Sequence, residues 1–218
     1  MALVQTAASL LAGDRVELDV RCGPGARLRL VDVAALIAHD GRGGEAAELD
    51  VRLDVGAHAR LEWEAQPLVL AAGSVVHRAT QVTLRHGGAA LLRDTLVLGR
   101  AGELAGHLVT TSDVRLEGRP LHAECLDTGD VGLLRSPVVL GRAKVLDALA
   151  LYGARAEDEA AFQLAGLGTL RQEPAVSLAQ AARRMGAAPQ AWRAALLKPH
   201  EVPAAREVRH GRAVMPAR

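Results

Sequence analysis

Short segments in which apolar and charged residues alternate recur from residue 15 to about residue 126, separated by glycine or proline. In residues 16–21, Val-Glu-Leu-Asp-Val-Arg, the apolar side chains fall on one face and the charged side chains on the other. Residues 51–55 repeat this pattern. Alternation with a period of two is typical of a β-strand with one face in water, so this part of the chain is predicted to be β.

The strand pattern is also internally repeated. The tetrapeptide LDVR occurs at residues 18–21 and again at 49–52, and the Gly-Ala turns at Gly25 and Gly56 keep the same 31-residue offset. A third, weaker copy covers residues 82–93. Such a recurrence is typical of stacked β architectures, although meandering hairpins in a sandwich produce a similar pattern. We therefore predict a mainly β, two-layer stacked scaffold that is either β-helix-like or a sandwich.

The pattern changes toward the carboxyl end. Residues 120–124, 136–140 and 144–152 are predicted strands, although periodicity alone leaves 144–152 open between helix and strand. Ser177 can cap a short helix that ends at Gly186, and a second helix is predicted from about Pro189. We expect one β domain over residues 1–197, with its helical part at about 174–197, and a flexible tail over 198–218, where prolines and scattered charge replace apolar periodicity.

Composition excludes several classes of partner. The 26 basic and 25 acidic side chains give a net charge of +1, which provides no field to attract nucleic acid or an anionic membrane. Two cysteines support neither a disulfide framework nor a four-cysteine zinc site. The opening residues make a poor signal peptide, and no apolar run approaches the roughly 18 residues of a membrane helix. A cytoplasmic location is expected.

The sequence carries none of the common catalytic motifs. The chain has no GxxxxGK[ST], GxGxxG, HExxH, GxSxG or CxxC motif, so the common signatures of nucleotide, zinc and acyl-transfer chemistry are missing from it. Its eight histidines are scattered, and no two lie two residues apart on one strand. Surface histidines are the favoured interpretation, and the protein is expected not to be an enzyme.

The most distinctive segment is residues 61–70, LEWEAQPLVL, a predicted strand broken at Pro67. Alternation places Glu62, Glu64 and Gln66 on one face as a polar ridge. Paired carboxylates can act as acid and base or as oxygen ligands for a passing cation. A charged, water-facing strand edge that resists aggregation explains the same residues, and it is favoured unless further parts of a site are found.

Two other groups of residues are candidates. Gly99 introduces a glycine-flanked turn in which Arg100 and Glu103 can pair, either to close the turn or to leave the arginine as an anchor for a partner. His122 and Glu124 share one face of a predicted strand and are weak candidates as metal ligands. Cys125 faces the opposite way, which argues against one shared metal site within that strand.

These segments, in this order, resemble the UreD family of urease accessory proteins, also called UreH. Residues 13–30, GDRVELDVRCGPGARLRL, resemble the early GD-led strand, the GA turn and the strand that follows. LEWEAQPLVLAAGS at 61–74 is similar to the LEW-x-PQP core strand, with Ala65 at the first proline position, and LLRDTLVLGRAGELAG at 91–106 is similar to the strand ending in LGR with a nearby GE. A TQAATK-like segment of the family is replaced by residues 31–37, and the usual preceding hairpin is absent, which could leave an edge open or covered by a partner. The resemblance covers about residues 13–150.

The resemblance implies a scaffold or chaperone that is required for nickel insertion into apo-urease. Such a protein binds the accessory protein UreF, which recruits the GTPase UreG, and it docks on the apo-urease subunits. Nickel is expected to pass through the interior, so Ni²⁺ would be a transient passenger and no cofactor would be tightly bound. On this interpretation the ridge of Glu62, Glu64 and Gln66 would line part of the path. The alternatives are a small cupin-like metal enzyme that uses His122 and Glu124, or a generic β-solenoid interaction module.

Overall fold

The computed structural model describes residues 1–3, 9–136 and 139–198. Fifteen strands and three helices form in the described residues. In chain order they are β1 (Ala2–Leu3), β2 (Ser9–Leu10), β3 (Arg15–Cys22), β4 (Arg27–Asp32), β5 (Leu36–Ala38), β6 (Ala47–Val55), β7 (Arg60–Glu64), β8 (Leu68–Leu70), β9 (Val75–Leu84), β10 (Ala89–Leu98), β11 (His107–Leu116), β12 (Arg119–Asp127), α1 (Val131–Leu134), β13 (Val145–Tyr152), β14 (Phe162–Gln163), β15 (Gly168–Ala175), α2 (Leu178–Met185) and α3 (Ala188–Leu197).

The strands build two sheets that face each other. The five-stranded sheet has the order β12-β11-β9-β6-β3, and the ten-stranded sheet has the order β1-β4-β7-β10-β13-β15-β14 with β2, β5 and β8 beside this path. The chain alternates between the sheets, and neighbouring strands of successive coils pair in parallel. The mainly β prediction is therefore confirmed, and its β-helix-like form is the observed one. Among the described strands, antiparallel pairs occur only in the later part of the chain. They join β11 to β12, and they join β10, β13, β15 and β14 in that order.

Strand register corrects the predicted repeat offset. Leu18 pairs with Val51 and Leu28 pairs with Leu61, an offset of 33 residues in both sheets. The two LDVR segments are therefore not stacked in register but lie two residues apart. Because side chains alternate with a period of two, this shift keeps every apolar residue on the inner face. Gly25 and His58 occupy equivalent turn positions with φ of 68° and 56°, and the Gly25 amide donates to the Ala57 carbonyl at 2.8 Å.

Two hydrophobic clusters fill most of the space between the sheets. One lies toward the turns that join β3 to β4 and β6 to β7, and includes Leu61, Leu84 and Tyr152. The other lies at the opposite end of the strands and includes Leu10, Leu70 and Leu108. Inward-facing polar side chains, among them Arg78 and Asp94, lie between the two clusters.

Both predicted carboxyl-terminal helices are present. Ser177 caps α2, because its Oγ accepts from the backbone N–H of Gln180 at 3.2 Å. Gly186 ends that helix with φ of 54°. Helix α3 starts beside Pro189 and buries Trp192 against the outer face of the ten-stranded sheet. The indole Nε1 of Trp192 also donates to Asp158 Oδ2 at 3.2 Å. Both helices therefore act as outer cover for one sheet.

Three expectations about chain segments have different outcomes. The predicted strand at 136–140 is wrong for its described residues, because Ser136 lies in a bend, and the amide of Val139 donates to the Ser136 carbonyl at 2.9 Å in a turn. The predicted flexible tail falls outside the described residues beyond Lys198. The expected open edge is present in one sheet. Within the described residues β3 pairs only with β6, so its other edge is open, whereas β1 and β2 cover the edges of β4 and β5.

Candidate functional site

A cavity of about 290 Å³ lies between the two sheets and reaches from the first coil to β12 and β15. Most of its walls are aliphatic side chains of the two hydrophobic clusters. Polar and charged residues also line it, among them Asp32, Gln66, Arg78, Asp94, Ser112 and Glu124. Every coil contributes at least one of them, so the cavity carries polar groups along the stacking direction.

Arg78 and Asp94 occupy positions that strand alternation reserves for the interior. Arg78 pairs with Leu49 on β6 and with Thr110 on β11, which belong to the same inward-facing row. Asp94 pairs with Ala148 on β13, and Ala148 also faces the cavity. The backbone therefore directs a guanidinium and a carboxylate toward each other from opposite sheets.

The Arg78 guanidinium meets Asp94 in a bidentate ion pair. Nη1 donates to Oδ1 at 2.9 Å and Nη2 donates to Oδ2 at 2.6 Å, while Nε donates to Thr110 Oγ1 at 3.0 Å. The Arg78 side chain is 12% exposed, but that of Asp94 is 41% exposed. Water therefore reaches the carboxylate inside the cavity while the guanidinium is held between the sheets.

Glu124 closes the far end of the cavity. Its Oε1 accepts from Gln172 Nε2 at 2.8 Å, which joins β12 to β15, and its Oε2 lies 3.5 Å from His122 Nε2. The neighbouring imidazole lowers the pKa of Glu124 against the opposing effect of burial, with smaller contributions from Gln172 and Arg78. The His122 ring stacks on Tyr152, whose pKa is raised by burial.

His122 and Glu124 were the weak candidates for metal ligands, and they lie side by side on the inner face of β12. Within the described part of the chain, however, no three His, Cys, Asp or Glu side chains converge as a metal site. Cys125 is exposed, on the opposite face. The pair could contribute weak, transient contacts to a cation but does not form a closed coordination site with other described residues.

The first coil contributes Asp32. Its Oδ1 accepts from the Trp63 indole at 3.0 Å, and its Oδ2 accepts from the backbone N–H of Gln66 at 3.3 Å. Strand β7 ends at Glu64 and β8 begins at Leu68, so the predicted break at Pro67 is present. Gln66 lies in this break and lines the interior cavity.

Glu62 and Glu64 lie elsewhere, on the outer face of the ten-stranded sheet beside α3. Arg29 Nε is 3.2 Å from Glu62 and its Nη2 is 3.0 Å from Glu64, and Arg193 Nε is 2.9 Å from Glu62. These groups line a cleft of about 140 Å³ under α3. The structure therefore brings Glu62 and Glu64 together, but it places Gln66 apart from them, because alternation stops where β7 ends.

The turn after β10 pairs as predicted. Arg100 Nη2 lies 2.6 Å from Glu103 Oε1, and Glu103 Oε2 accepts from the Ala72 amide at 3.3 Å. The hydrogen bond from Arg100 is the main reason that the pKa of Glu103 falls to about 2. Gly99 has φ of 86°, and its amide donates to the Leu70 carbonyl at 2.9 Å. The turn is thus fixed to the preceding coil, while the Arg100 side chain stays 54% exposed.

Sequence reasoning missed Asp32, Arg78 and Asp94. A signal was present, because Arg78 and Asp94 stand at inward positions of mostly apolar rows, which include Val76 and Val82 in β9 and Leu92 and Leu96 in β10. A charged residue at such a position needs a partner within the fold. The pairing itself could not be read from the sequence, because the two residues come from strands of opposite sheets.

Comparison with known proteins gives a consistent result. The family described as UreD urease accessory protein matches residues 1–218. Urease accessory protein UreD 1 of Streptomyces griseus is 44% identical over 155 residues, which cover 71% of this chain and 60% of that protein. Urease accessory protein UreD 1 of Saccharopolyspora erythraea is 40% identical over 147 residues, covering 67% of this chain and 57% of that protein.

The chain thus spans about 60% of the length of these curated relatives. None of the helices among the described residues is long and apolar enough to cross a membrane. The stacked β fold, the ordered motifs and the match along the whole chain agree with one another. This chain belongs to the UreD family of urease accessory proteins.

Proposed function

We propose that this protein is a non-enzymatic cytoplasmic scaffold that assists nickel insertion into apo-urease. In this role it bridges the urease subunits to UreF and the GTPase UreG, and Ni²⁺ passes along its interior. Membership of the urease accessory family supports the role in urease maturation.

The observation that supports a nickel path is the polar layer between the sheets. Asp32, Asp94 and Glu124 place carboxylates at the first coil, the third coil and the far end of one cavity. Carboxylates and water bind Ni²⁺ less firmly than imidazole or thiolate ligands do. A row of separated oxygen donors can therefore accept a hydrated cation and release it again, because transport requires weak binding at several sites.

Arg100 is the proposed anchor for a partner. Its guanidinium is exposed in a turn that is fixed to the preceding coil, and Leu104 in the same turn is 63% exposed. Arginine is one of the residue types enriched at interface hot spots. Arg100→Ala should weaken capture of UreF by this protein, and unchanged capture would remove Arg100 from the docking surface.

The path is tested by reconstituting urease with UreF, UreG, Ni²⁺ and either wild-type protein or variants. Asp94→Asn and Glu124→Gln should lower the nickel content of urease while leaving the accessory complex intact. The double variant Glu62→Gln with Glu64→Gln tests the ridge on the outer face in the same assay. It is the matched control for Asp94→Asn and Glu124→Gln, because it also neutralises two carboxylates. Loss of nickel in the ridge variant alone would move the path to the outer face, and no loss in either variant would contradict a path through this protein.

Two other functions make different predictions. A cupin-like metal enzyme would retain stoichiometric metal after dialysis, whereas the proposed passage retains little. A generic β-solenoid interaction module would leave urease activation unchanged when it is omitted from the reconstitution. The same preparation therefore separates all three functions.

A further inference from the structure

We propose that Arg78 is an internal counter-ion that occupies Asp94 in the resting protein and keeps the binding of a passing cation weak. The inference rests on the proposed function, because it assigns a regulating residue to the interior path. Arg78 would be a positioning residue: it acts on the cation through the carboxylate that it holds.

The geometry gives Arg78 this role. Its two terminal nitrogens contact both oxygens of Asp94, at 2.9 and 2.6 Å. A divalent cation that approaches Asp94 therefore meets a carboxylate whose lone pairs are already engaged by a planar guanidinium. The cation can bind there only when Arg78 moves away from at least one oxygen.

The ion pair also lies between two parts of the interior. The cavity of about 290 Å³ and a smaller one of about 40 Å³ beside Gln172 share Arg78, Asp94 and Glu124 as lining residues. The Arg78 side chain reaches from the five-stranded sheet to Asp94 on the ten-stranded sheet, so it lies in the wall that separates these spaces. A cation that moves from one to the other would therefore pass the guanidinium.

Charge balance explains why this residue would set affinity. Arg78 neutralises Asp94 directly and also lowers the pKa of Glu124. With the guanidinium in place, the two carboxylates together carry one net negative charge, and without it they carry two. In a partly buried setting that difference strengthens the attraction for a divalent cation, because the screening by water is reduced.

The experiment measures Ni²⁺ binding to the full chain by equilibrium dialysis at fixed pH and ionic strength. Arg78→Met should lower the Kd for Ni²⁺ by about tenfold or more. Adding Asp94→Asn to that variant should remove the gain. Arg78→Lys keeps the charge but loses the bidentate contact, so its Kd for Ni²⁺ should lie between those of wild type and Arg78→Met. It replaces Arg78→Met in the test if the methionine variant folds poorly.

Arg29→Met is the matched control. It removes the same charge from a carboxylate pair, Glu62 and Glu64, but on the outer face, where Arg29 is 44% exposed. Its Kd should change by no more than about threefold, because Glu62 keeps Arg193 as a counter-ion and Glu64 is exposed. An unchanged Kd in Arg78→Met, or an equal change in Arg29→Met, would overturn the inference.

These outcomes are separable from those of the reconstitution. The dialysis needs no urease. A tighter Kd in Arg78→Met, together with normal nickel delivery by Asp94→Asn and Glu124→Gln, would uphold the counter-ion and reject the path. The converse result, normal Ni²⁺ affinity in Arg78→Met together with nickel delivery that depends on Asp94, would uphold the path and reject the counter-ion. Thermal unfolding of each variant establishes that the fold is retained.

Discussion

Asp147 is 1% exposed and receives two hydrogen bonds from Arg93, of 3.1 Å at Oδ1 and 2.8 Å at Oδ2. Thr95 donates a third, at 2.9 Å to Oδ1. The three side chains lie on the outer face of the ten-stranded sheet and join β10 to β13. They connect the last parallel coil to the antiparallel strands that follow it.

We expect Arg93→Met to lower the free energy of unfolding by about 3 kcal/mol, because it leaves a buried carboxylate without its charged partner. Urea denaturation measures the change. Combining Arg93→Met with Asp147→Leu should recover most of the loss, since the uncompensated charge is then absent. Arg29→Met should cost about 1 kcal/mol or less, because Glu62 keeps Arg193 as a partner and Glu64 is exposed. An equal loss in both single variants would contradict the importance of burial.

Trp192→Ala should destabilise the protein by about 3–5 kcal/mol, because it empties a fully buried site under α3 and removes the hydrogen bond to Asp158. Thermal and urea unfolding report the loss. Leu197→Ala in the same helix is the control, because Leu197 is 44% exposed and its truncation should cost about 0.5 kcal/mol or less. Similar effects of the two substitutions would show that α3 is not held by Trp192.

Glu103 should contribute stability that depends on pH. Its pKa is about 2 in the folded protein and near 4.5 in the unfolded chain, so the unfolded state takes up a proton first as pH falls. The stability difference between wild type and Glu103→Gln should be constant above about pH 4.5 and decrease toward pH 2. Arg100→Met should raise the titration midpoint of Glu103, as followed by carboxyl NMR shifts, and an unchanged midpoint would exclude Arg100 as the main cause.

The two cysteines should differ in reactivity. Cys125 is exposed, whereas Cys22 is buried and burial raises the pKa of its thiol. A thiol reagent at neutral pH should therefore modify one group per folded chain quickly and the second only after unfolding. Cys125→Ser should abolish the fast phase, and a fast phase that persists would show that Cys22 is accessible.

Local patterns in the sequence predicted most elements of the fold. Alternation identified the paired strands around Leu18, Leu28, Val51 and Leu61. The capping residue Ser177 and the early Pro189 placed the two helices. The strand prediction failed at the described residues of 136–140, because an apolar run carries no information on whether another strand is available to pair with it. Parallel stacking also stayed open, since alternation is the same in a hairpin and in a coil.

The candidate site was less predictable. Arg100 and Glu103 are close in sequence, so their pairing could be anticipated. Arg78 and Asp94 meet only because two sheets face each other, and no spacing rule connects residues across that gap. The ridge was partly wrong for a local reason: the strand ends at Glu64, and the geometry that would have aligned Gln66 with Glu62 ends with it.

The two-residue displacement between the LDVR segments means that the parity of a position, odd or even, matters more to this fold than its place in a repeat. Two residues added to or removed from a coil leave every side chain on its original side and can be absorbed in a turn. A single residue inserted within β6 would turn Val51 and Leu53 toward water and direct Asp50 and Arg52 inward. Coils of unequal length can therefore stack on one another, provided that the difference in length lies in the turns and leaves the inward and outward positions of the strands unchanged.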